Sequence, residues 1–195
     1  MIRLAALGVA VLAGAAIGHA TSGPRAGGVA VVAVGAGPAL VATGFVAAPG
    51  RVVTVAHAVE GRESVTVRGA DGVARRAVVV RRAPQLDLAV LAVAGLPAAD
   101  AAASRPRLLV RRGARAGALP AVVTRRLDAT IRAADGHVIA RRPVLELRVA
   151  VRAGDSGAPL VGRDGAVEGV VFARSHDRAG IAYAVDAAAL AALLG

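Results

Sequence analysis

The stretch Gly154-Asp155-Ser156-Gly157-Ala158-Pro159-Leu160 frames a serine with glycines in a chain that contains only five serines. Glycine permits backbone conformations that other residues avoid, so this pattern predicts a tight turn on which backbone amides converge. Upstream lie Thr54-Val55-Ala56-His57-Ala58 and Leu86-Asp87-Leu88-Ala89-Val90-Leu91. Each segment alone has an ordinary interpretation as a strand-end histidine, a capping aspartate or a hairpin serine. The three together favour a catalytic set.

Histidine, aspartate and serine in this order are typical of nucleophilic catalysis on acyl groups. Ser156 is the candidate nucleophile, and His57 is the candidate base that takes its proton. Asp87 precedes an apolar run, so its carboxylate is expected to be buried and to need a partner such as a histidine. The backbone amides of Gly154 and Ser156 are the candidate donors to a developing oxyanion. Asp155 is predicted to hold this loop through buried hydrogen bonds or an ion pair.

Short β-branched runs separated by Gly, Pro and charged turns predict an all-β chain. We expect a first β-barrel over residues 28–95, a linker over 96–106, which is rich in Ala, Pro and Asp, and a second barrel over 107–185. Within the second barrel, Ala121 to Thr124 and Ala129 to Ala134 are predicted as separate strands. Asp186 is the expected N-cap of a short C-terminal helix over 186–195.

The N-terminus has the pattern of a secretory signal peptide. A short basic region at Arg3 is followed by an apolar run and by a small residue, Ala20, so we expect residues 1–20 to be removed. The alternative is an uncleaved N-terminal anchor, which would associate the protein with a membrane. Either interpretation predicts a location outside the cytoplasm.

The net charge of +11 comes from 24 basic residues, all of them arginine, against 13 acidic ones. They occur as scattered pairs without aromatic platforms for bases, which disfavours nucleic-acid binding and favours a solvated exterior. A surface that binds anions through its net charge is a weaker alternative. The chain has no cysteine, which excludes disulfides and thiol catalysis. His176, Asp177 and Glu168 match no metal-ligand spacing, so we predict no metal and no cofactor.

Several motifs in sequence order resemble those of trypsin/chymotrypsin-fold serine peptidases. The chain is most similar to the cysteine-free bacterial HtrA-like branch without a PDZ domain, and within it to actinobacterial MarP-like envelope proteases. The resemblance covers about residues 28–185. It is carried by Thr43-Gly44-Phe45-Val46, Val53 to Val59, Asp87 to Leu91, the Ser156 segment, Gly165 to Ser175 and Tyr183-Ala184.

The resemblance implies two six-stranded antiparallel Greek-key barrels with the site in the cleft between them. It also implies a substrate-binding set of Ala150, Val171, Phe172, Ala173 and Arg174. Val171 to Arg174 would pair with substrate backbone by strand addition. With Ala150 near the base of the specificity pocket, small or medium apolar side chains are the expected preference.

The sequence therefore predicts a bacterial serine endopeptidase, secreted or held in the periplasm or cell envelope, that acts on protein or peptide substrates. It would work through a His57-Asp87-Ser156 triad and an acyl-enzyme. The alternative is a protease-fold protein that binds peptides or wall polymer with weak or no catalysis. Ala158, in place of the usual glycine, and Phe172, in place of a small hydroxyl residue, favour that alternative.

Overall fold

The computed structural model describes residues 31–36, 39–96, 106–112, 115–132 and 138–194. The predicted signal segment and most of the predicted linker lie outside the described residues. The described chain folds into thirteen strands and one α-helix. They are β1 Val31–Ala36, β2 Ala39–Ala48, β3 Arg51–Val55, β4 Ser64–Arg68, β5 Ala74–Ala83, β6 Leu88–Ala92, β7 Arg107–Arg112, β8 Arg115–Pro120, β9 Val122–Arg132, β10 Val138–Arg148, β11 Pro159–Val161, β12 Val167–Arg174, β13 Ile181–Asp186 and α1 Ala187–Leu194.

Strands β1 to β6 close into an antiparallel barrel in the order β1-β2-β3-β6-β5-β4. Alternation directs apolar side chains inward, as on β4, where Val65 and Val67 are buried between half-buried neighbours. The interior is filled by aliphatic side chains around one aromatic ring, that of Phe45, which is completely buried with Leu88 and Leu91. This barrel is a rigid frame. Strand β3 leads into one short turn, and β6 follows another.

Strands β7 to β13 form a second antiparallel sheet in the order β8-β7-β11-β12-β13-β10-β9. The all-β fold with a closed first barrel, a second β unit and a C-terminal helix is confirmed. Where the resemblance implies six strands in the second unit, this sheet has seven. At one end of the sheet β8 forms a hairpin with β7, in which Leu108 pairs with Leu119 and Val110 with Gly117.

Helix α1 lies against the second sheet through β12 and β13. The side chain of Asp186 accepts a hydrogen bond from Ala188 N at 3.1 Å, which caps the first turn as predicted. Leu190 and Leu193 are buried on the inner face. At the other end of the helix, Arg81 of the first barrel donates a hydrogen bond to Leu193 O at 2.6 Å. This contact places a positive charge at the helix C-terminus and links the two units. Within the described ranges, no helix reaches the length and apolarity needed to span a membrane.

Candidate active site

His57 lies in a 3-10 turn, Ala56–Val59, that directly follows β3. The strand before it is buried from Val52 to Val55, which fixes where the turn begins. Ala56 and Val59 are buried on one side of the turn, while the side chain of His57 is 45% exposed. The imidazole therefore rests on a rigid base and faces solvent on one side.

Asp87 follows a second 3-10 turn, Pro84–Leu86, and immediately precedes β6. It is the only non-glycine residue with positive φ in the described parts of the chain, at 54°. Aspartate tolerates this left-handed conformation better than most residues because its short polar side chain bonds to nearby backbone. Its carbonyl oxygen accepts from Ala56 N at 2.9 Å. The backbone of Asp87 thus joins the two turns.

The carboxylate of Asp87 holds His57 at two points. Asp87 Oδ1 accepts from His57 N at 3.0 Å, and Oδ2 lies 2.8 Å from His57 Nδ1. This contact favours the tautomer with a proton on Nδ1 and leaves Nε2 as an acceptor. Burial lowers the pKa of His57, but the hydrogen bond to Asp87 and its negative charge outweigh this effect, so that the pKa of His57 is raised above its usual value.

Two further charges act on the same imidazole in opposite directions. The positive charge of Arg142 lowers the pKa of His57, and the negative charge of Glu60 raises it. We therefore expect Arg142→Gln to raise the pKa of His57 and Glu60→Gln to lower it, as followed by NMR titration of the ring protons. Arg142→Lys, which keeps the charge, serves as the control. Shifts of the same sign in the Arg142→Gln and Glu60→Gln variants would contradict this electrostatic description.

Ser156 lies in the loop that connects β10 to β11, and this loop is bound on both sides. Thr43 of β2 donates its N–H to Ser156 O at 2.8 Å and its hydroxyl to Gly154 O at 2.9 Å. On the opposite side Gly157 N donates to Val171 O of β12 at 2.7 Å. The serine is therefore held between the barrel and the second sheet.

Thr43 also connects the Ser156 loop to β3, the strand that leads into the turn of His57. Thr54, three residues before His57, donates its hydroxyl to Thr43 O at 2.8 Å. Both threonines are completely buried. The structure thus brings His57 and Asp87 into direct contact, and it joins Ser156 to them through Thr43 and Thr54. The sequence analysis quoted Thr43 within a motif but gave neither threonine a role.

Gly157 occupies a position that no larger residue fits. Its φ is +87°, and a Cβ built there would lie 1.9 Å from Thr43 O and 2.8 Å from Thr54 Oγ1. Carbonyl Thr43 O is backbone in a buried strand, so it does not yield easily. The space between the two units therefore requires glycine.

Gly157→Ala is expected to lower the free energy of unfolding by roughly 1 kcal/mol for the positive φ and by roughly 2 kcal/mol more for the overlap. Gly180→Ala is the matched control, because Gly180 has φ +74° but no atom within 4 Å of its built Cβ. Urea unfolding of both variants measures the difference. Equal losses would show that Thr43 moves aside without cost.

Among the described residues, the amides of Gly154 and Ser156 have no hydrogen-bond acceptor. Asp155 N donates to Arg152 O and Ala158 N donates to Asp155 O, but neither Gly154 N nor Ser156 N donates to any group in the described ranges. Gly154 has φ +90°, and the space around its built Cβ is open. A developing oxyanion needs N–H donors that are not already bonded, so these two amides stay the candidate donors.

The residues predicted to bind substrate have different surroundings. Val171 is buried, and its N–H and carbonyl are already bonded to Ala158 O and Gly157 N. Phe172 is buried beneath the guanidinium of Arg142, which lies 4.3 Å from the ring centroid. Ala173 is half-buried, whereas Arg174 and Ala150 are exposed.

The arginine pairs are not uniformly solvated, contrary to the prediction. Arg111 and Arg142 are 4% and 5% exposed, and Arg112 forms a bidentate ion pair with Asp155. Arg142 has two buried nitrogens, Nε and Nη1, that find no hydrogen-bond partner in the parts of the chain that the structure describes. Sequence pattern alone gave no signal that separated these arginines from exposed ones such as Arg141. Among the described residues no group of three or more His, Asp or Glu side chains is arranged to hold a metal ion.

Comparison with known proteins gives consistent results. Residues 42–170 match the family model of the trypsin-like peptidase domain. The chain is 35% identical over 163 residues to serine protease Rv3671c of Mycobacterium tuberculosis strain H37Rv and, equally, to serine protease MT3772 of strain CDC 1551. These alignments cover 78% of this chain but 41% of each relative. The chain thus spans about two fifths of the length of these relatives.

Solved structures show the same similarity. The active form of the Rv3671c protease from M. tuberculosis has a TM-score of 0.72 and 31% identity, covering 89% of this chain and 80% of that one. The protease domain of MamO from Magnetospirillum magneticum in its apo form has a TM-score of 0.62 at 22% identity, covering 88% of this chain and 96% of that one. The latter similarity concerns the fold alone.

Proposed function

Because this chain belongs to the trypsin-like peptidase family, we propose that it is a serine endopeptidase that uses His57, Asp87 and Ser156. The observation that carries the proposal is the 2.8 Å contact of Asp87 Oδ2 with His57 Nδ1. The strand that leads to His57 is in turn linked to the Ser156 loop, because Thr54 donates to Thr43 O and Thr43 N donates to Ser156 O. This arrangement supports a polarised imidazole on a turn that hydrogen bonds link to the loop of Ser156.

In the proposed reaction Ser156 Oγ attacks the carbonyl carbon of a peptide bond while His57 Nε2 takes the hydroxyl proton. The positive charge that forms on the imidazole is stabilised by Asp87, which accepts the Nδ1 proton in a hydrogen bond without taking it. His57 then gives the proton to the leaving amine, and the C–N bond breaks to leave an acyl-enzyme. Water, deprotonated by the same imidazole, hydrolyses the ester and regenerates Ser156.

The free N–H groups of Gly154 and Ser156 would receive the oxyanion in both steps. Preorganised donors of this kind contribute mainly to the transition state, and loss of one typically costs about 3 kcal/mol. Ala158, which favoured an inactive protein at the sequence level, is buried in the core of the second sheet. Its N–H donates to Asp155 O and its carbonyl accepts from Val171 N, so it is neither of the two proposed donors.

The edge of β12 beyond Val171 supports substrate binding by strand addition. Strand β11 pairs with β12 as far as Val170, and Gly157 N takes the carbonyl of Val171. From Phe172 to Arg174, only the β13 side of β12 is paired among the described residues. An extended peptide would add to this open edge next to Ser156. The preference for small or medium apolar side chains near Ala150 stays a prediction.

The location is also part of the proposal. The apolar N-terminal segment supports secretion or retention in the bacterial cell envelope, with membrane association if the segment is not removed. Protein or peptide substrates are the proposed partners, and we expect no nucleic-acid partner.

The function is tested by incubating the purified full chain with unfolded casein and measuring new amino ends by mass spectrometry. We expect cleavage at internal bonds, and we expect no cleavage after treatment with a serine-directed fluorophosphonate. If casein binds but no bond is cleaved, the alternative of a peptide-binding protein without turnover is correct and the proposed function is wrong.

A further inference from the structure

Arg142 carries a buried positive charge to which the described residues provide no hydrogen-bond acceptor. The residue is 5% exposed, and its Nε and Nη1 atoms are buried and unpaired within the described part of the chain. A charged group in such a place is costly unless it is paired and hydrogen-bonded, and nearly all buried polar groups in proteins have a partner. The two orphaned nitrogens therefore indicate an acceptor that the described residues do not supply.

The carboxylate of Asp87 is near Arg142 but does not fill this role. Burial lowers the pKa of Arg142, and the negative charge of Asp87 opposes that effect. Both oxygens of Asp87 are engaged elsewhere, because Oδ1 accepts from His57 N and Oδ2 lies 2.8 Å from His57 Nδ1. The guanidinium thus lies beside the Asp87-His57 pair without binding to it.

Strand β10 brings Arg142 to this side of the site. Its pairing with β13 begins at Val144, whereas its pairing with β9 includes Arg142. The part of β10 before Val144 therefore extends beyond β13. Strand β10 contacts the turn Pro84–Leu86, which precedes Asp87. Arg142 accordingly lies where the second sheet meets the turn that carries the carboxylate.

The ring of Phe172 connects Arg142 to the proposed substrate edge. The register of β12 with β13 shifts between Val171 and Ala173, so Phe172 is the extra residue of a β-bulge, a feature that redirects a side chain. Arg142 Cζ lies 4.3 Å from the centroid of the Phe172 ring. Because Phe172 is also the first residue of the open edge of β12, a strand added there would pass close to the guanidinium.

One nitrogen of the guanidinium remains accessible. Nε and Nη1 are buried, whereas Nη2 forms no hydrogen bond to the described residues and keeps contact with solvent. A guanidinium binds a carboxylate through two parallel N–H groups, and each such fork of arginine includes Nη2, together with either Nη1 or Nε. A carboxylate that approaches Nη2 would therefore also satisfy one of the orphaned nitrogens.

We propose that Arg142 selects an acidic side chain of the substrate, at the second (P2) or fourth (P4) residue on the amino-terminal side of the scissile bond. This inference rests on the proposed function. Side chains of an added strand alternate between two faces. With P1, the residue whose carbonyl is attacked, directed toward Ala150, the side chains of P2 and P4 would face His57 and Arg142, and that of P3 would not.

The experiment measures kcat/KM of the full chain for internally quenched peptides with valine at P1 and either glutamate or glutamine at P2, P3 or P4. The two side chains have the same shape and differ in charge. We expect glutamate to be preferred by about 10- to 100-fold at P2 or P4, as is typical of charge-assisted hydrogen bonds, and no preference at P3. The ratio of two peptides cancels any effect that acts through His57, because both peptides meet the same imidazole.

Three variants assign the preference to a residue. Arg142→Gln is expected to abolish the preference for glutamate. Arg142→Lys keeps the charge but loses the fork, so an intermediate preference is expected. The matched control is Arg141→Gln, which removes one positive charge from the neighbouring residue of β10. Arg141 is exposed and, by alternation, lies on the opposite face, so the wild-type preference is expected.

Equal cleavage of glutamate and glutamine peptides by an active wild type would overturn the inference and leave the proposed function intact. A preference that persists in folded Arg142→Gln, or that is lost equally in Arg141→Gln, would also overturn it. If Arg142→Gln fails to fold, Arg142→Lys decides: a reduced preference supports the assignment, and an unchanged one refutes it. A folded wild type that cleaves no peptide and takes no fluorophosphonate label would instead refute the proposed function itself.

Discussion

Ser156→Ala is expected to lower the rate of casein hydrolysis by about 10⁶-fold and to leave casein binding intact. The variant removes one oxygen atom from a half-buried side chain. The bonds that hold the loop to Thr43 and Val171 use backbone atoms of Ser156, Gly154 and Gly157, so they remain. The loss would therefore report on chemistry and not on folding. Initial rates at saturating casein measure it.

Ser64→Ala is the control for this experiment. Ser64 is a half-buried serine at the start of β4, in the first barrel. Its replacement removes the same atom from a place without a proposed role, and the wild-type rate is expected. Hydrolysis by Ser156→Ala within tenfold of the wild-type rate would show that another residue is the nucleophile.

Asp87→Asn is expected to lower kcat by about 10⁴-fold without unfolding the protein. Asparagine accepts the left-handed backbone that Asp87 adopts at φ 54°. Its amide oxygen can still accept from His57 N, but its NH₂ group would face His57 Nδ1 and favour a proton on Nε2. In that tautomer the imidazole cannot take a proton from Ser156.

The control for Asp87→Asn is Asp71→Asn, which breaks the exposed ion pair with Arg75. Exposed pairs contribute about 0–1 kcal/mol, and this one lies outside the proposed site, so kcat is expected to stay unchanged. Circular dichroism on both variants would verify the fold. An Asp87→Asn variant that keeps more than a tenth of the wild-type kcat would mean that His57 does not need this carboxylate.

Much of the fold was predictable because its determinants are local in sequence. Alternating runs mark strands that are buried on one face, as on β4, and continuous runs of Leu, Ala and Val mark strands that are buried on both faces, as on β6. Asp186 as a helix cap follows from the same local chemistry. The contact of His57 with Asp87 was predictable for another reason: each residue stands at a boundary between an apolar run and a turn. The role of Ser156 beside them stays a prediction.

Strand boundaries in the second sheet were harder to predict. Ala121 to Thr124 and Ala129 to Ala134 were predicted as two strands, but the chain from Val122 to Arg132 is one long strand paired with β10. The segment between the two predicted strands contains Arg125 and Arg126, which pair with the acidic residues Glu146 and Asp186. Strand β8 was missed because Gly117 and Pro120 are residues typical of turns. It lies at the end of the sheet, where such residues are tolerated.

The supporting contacts of the candidate site were not predictable from the sequence. Thr43 and Thr54 look like ordinary strand residues, and only the closure of the barrel turns Thr43 toward Ser156. Arg112 belongs to one of several arginine pairs, and its partner Asp155 lies 43 residues away in sequence. Contacts between distant elements depend on the packing of the two units, which no local pattern records.

The most direct test of the central claim is to locate the adduct that a fluorophosphonate leaves on the folded wild-type chain. Tryptic cleavage after Arg152 and Arg163 releases residues 153–163, in which Ser156 is the only hydroxyl-bearing residue. The account predicts that mass spectrometry finds the phosphonyl group on this peptide and that labelling slows as His57 becomes protonated at low pH. A folded protein that carries no label, or carries it on a different peptide, would contradict the account.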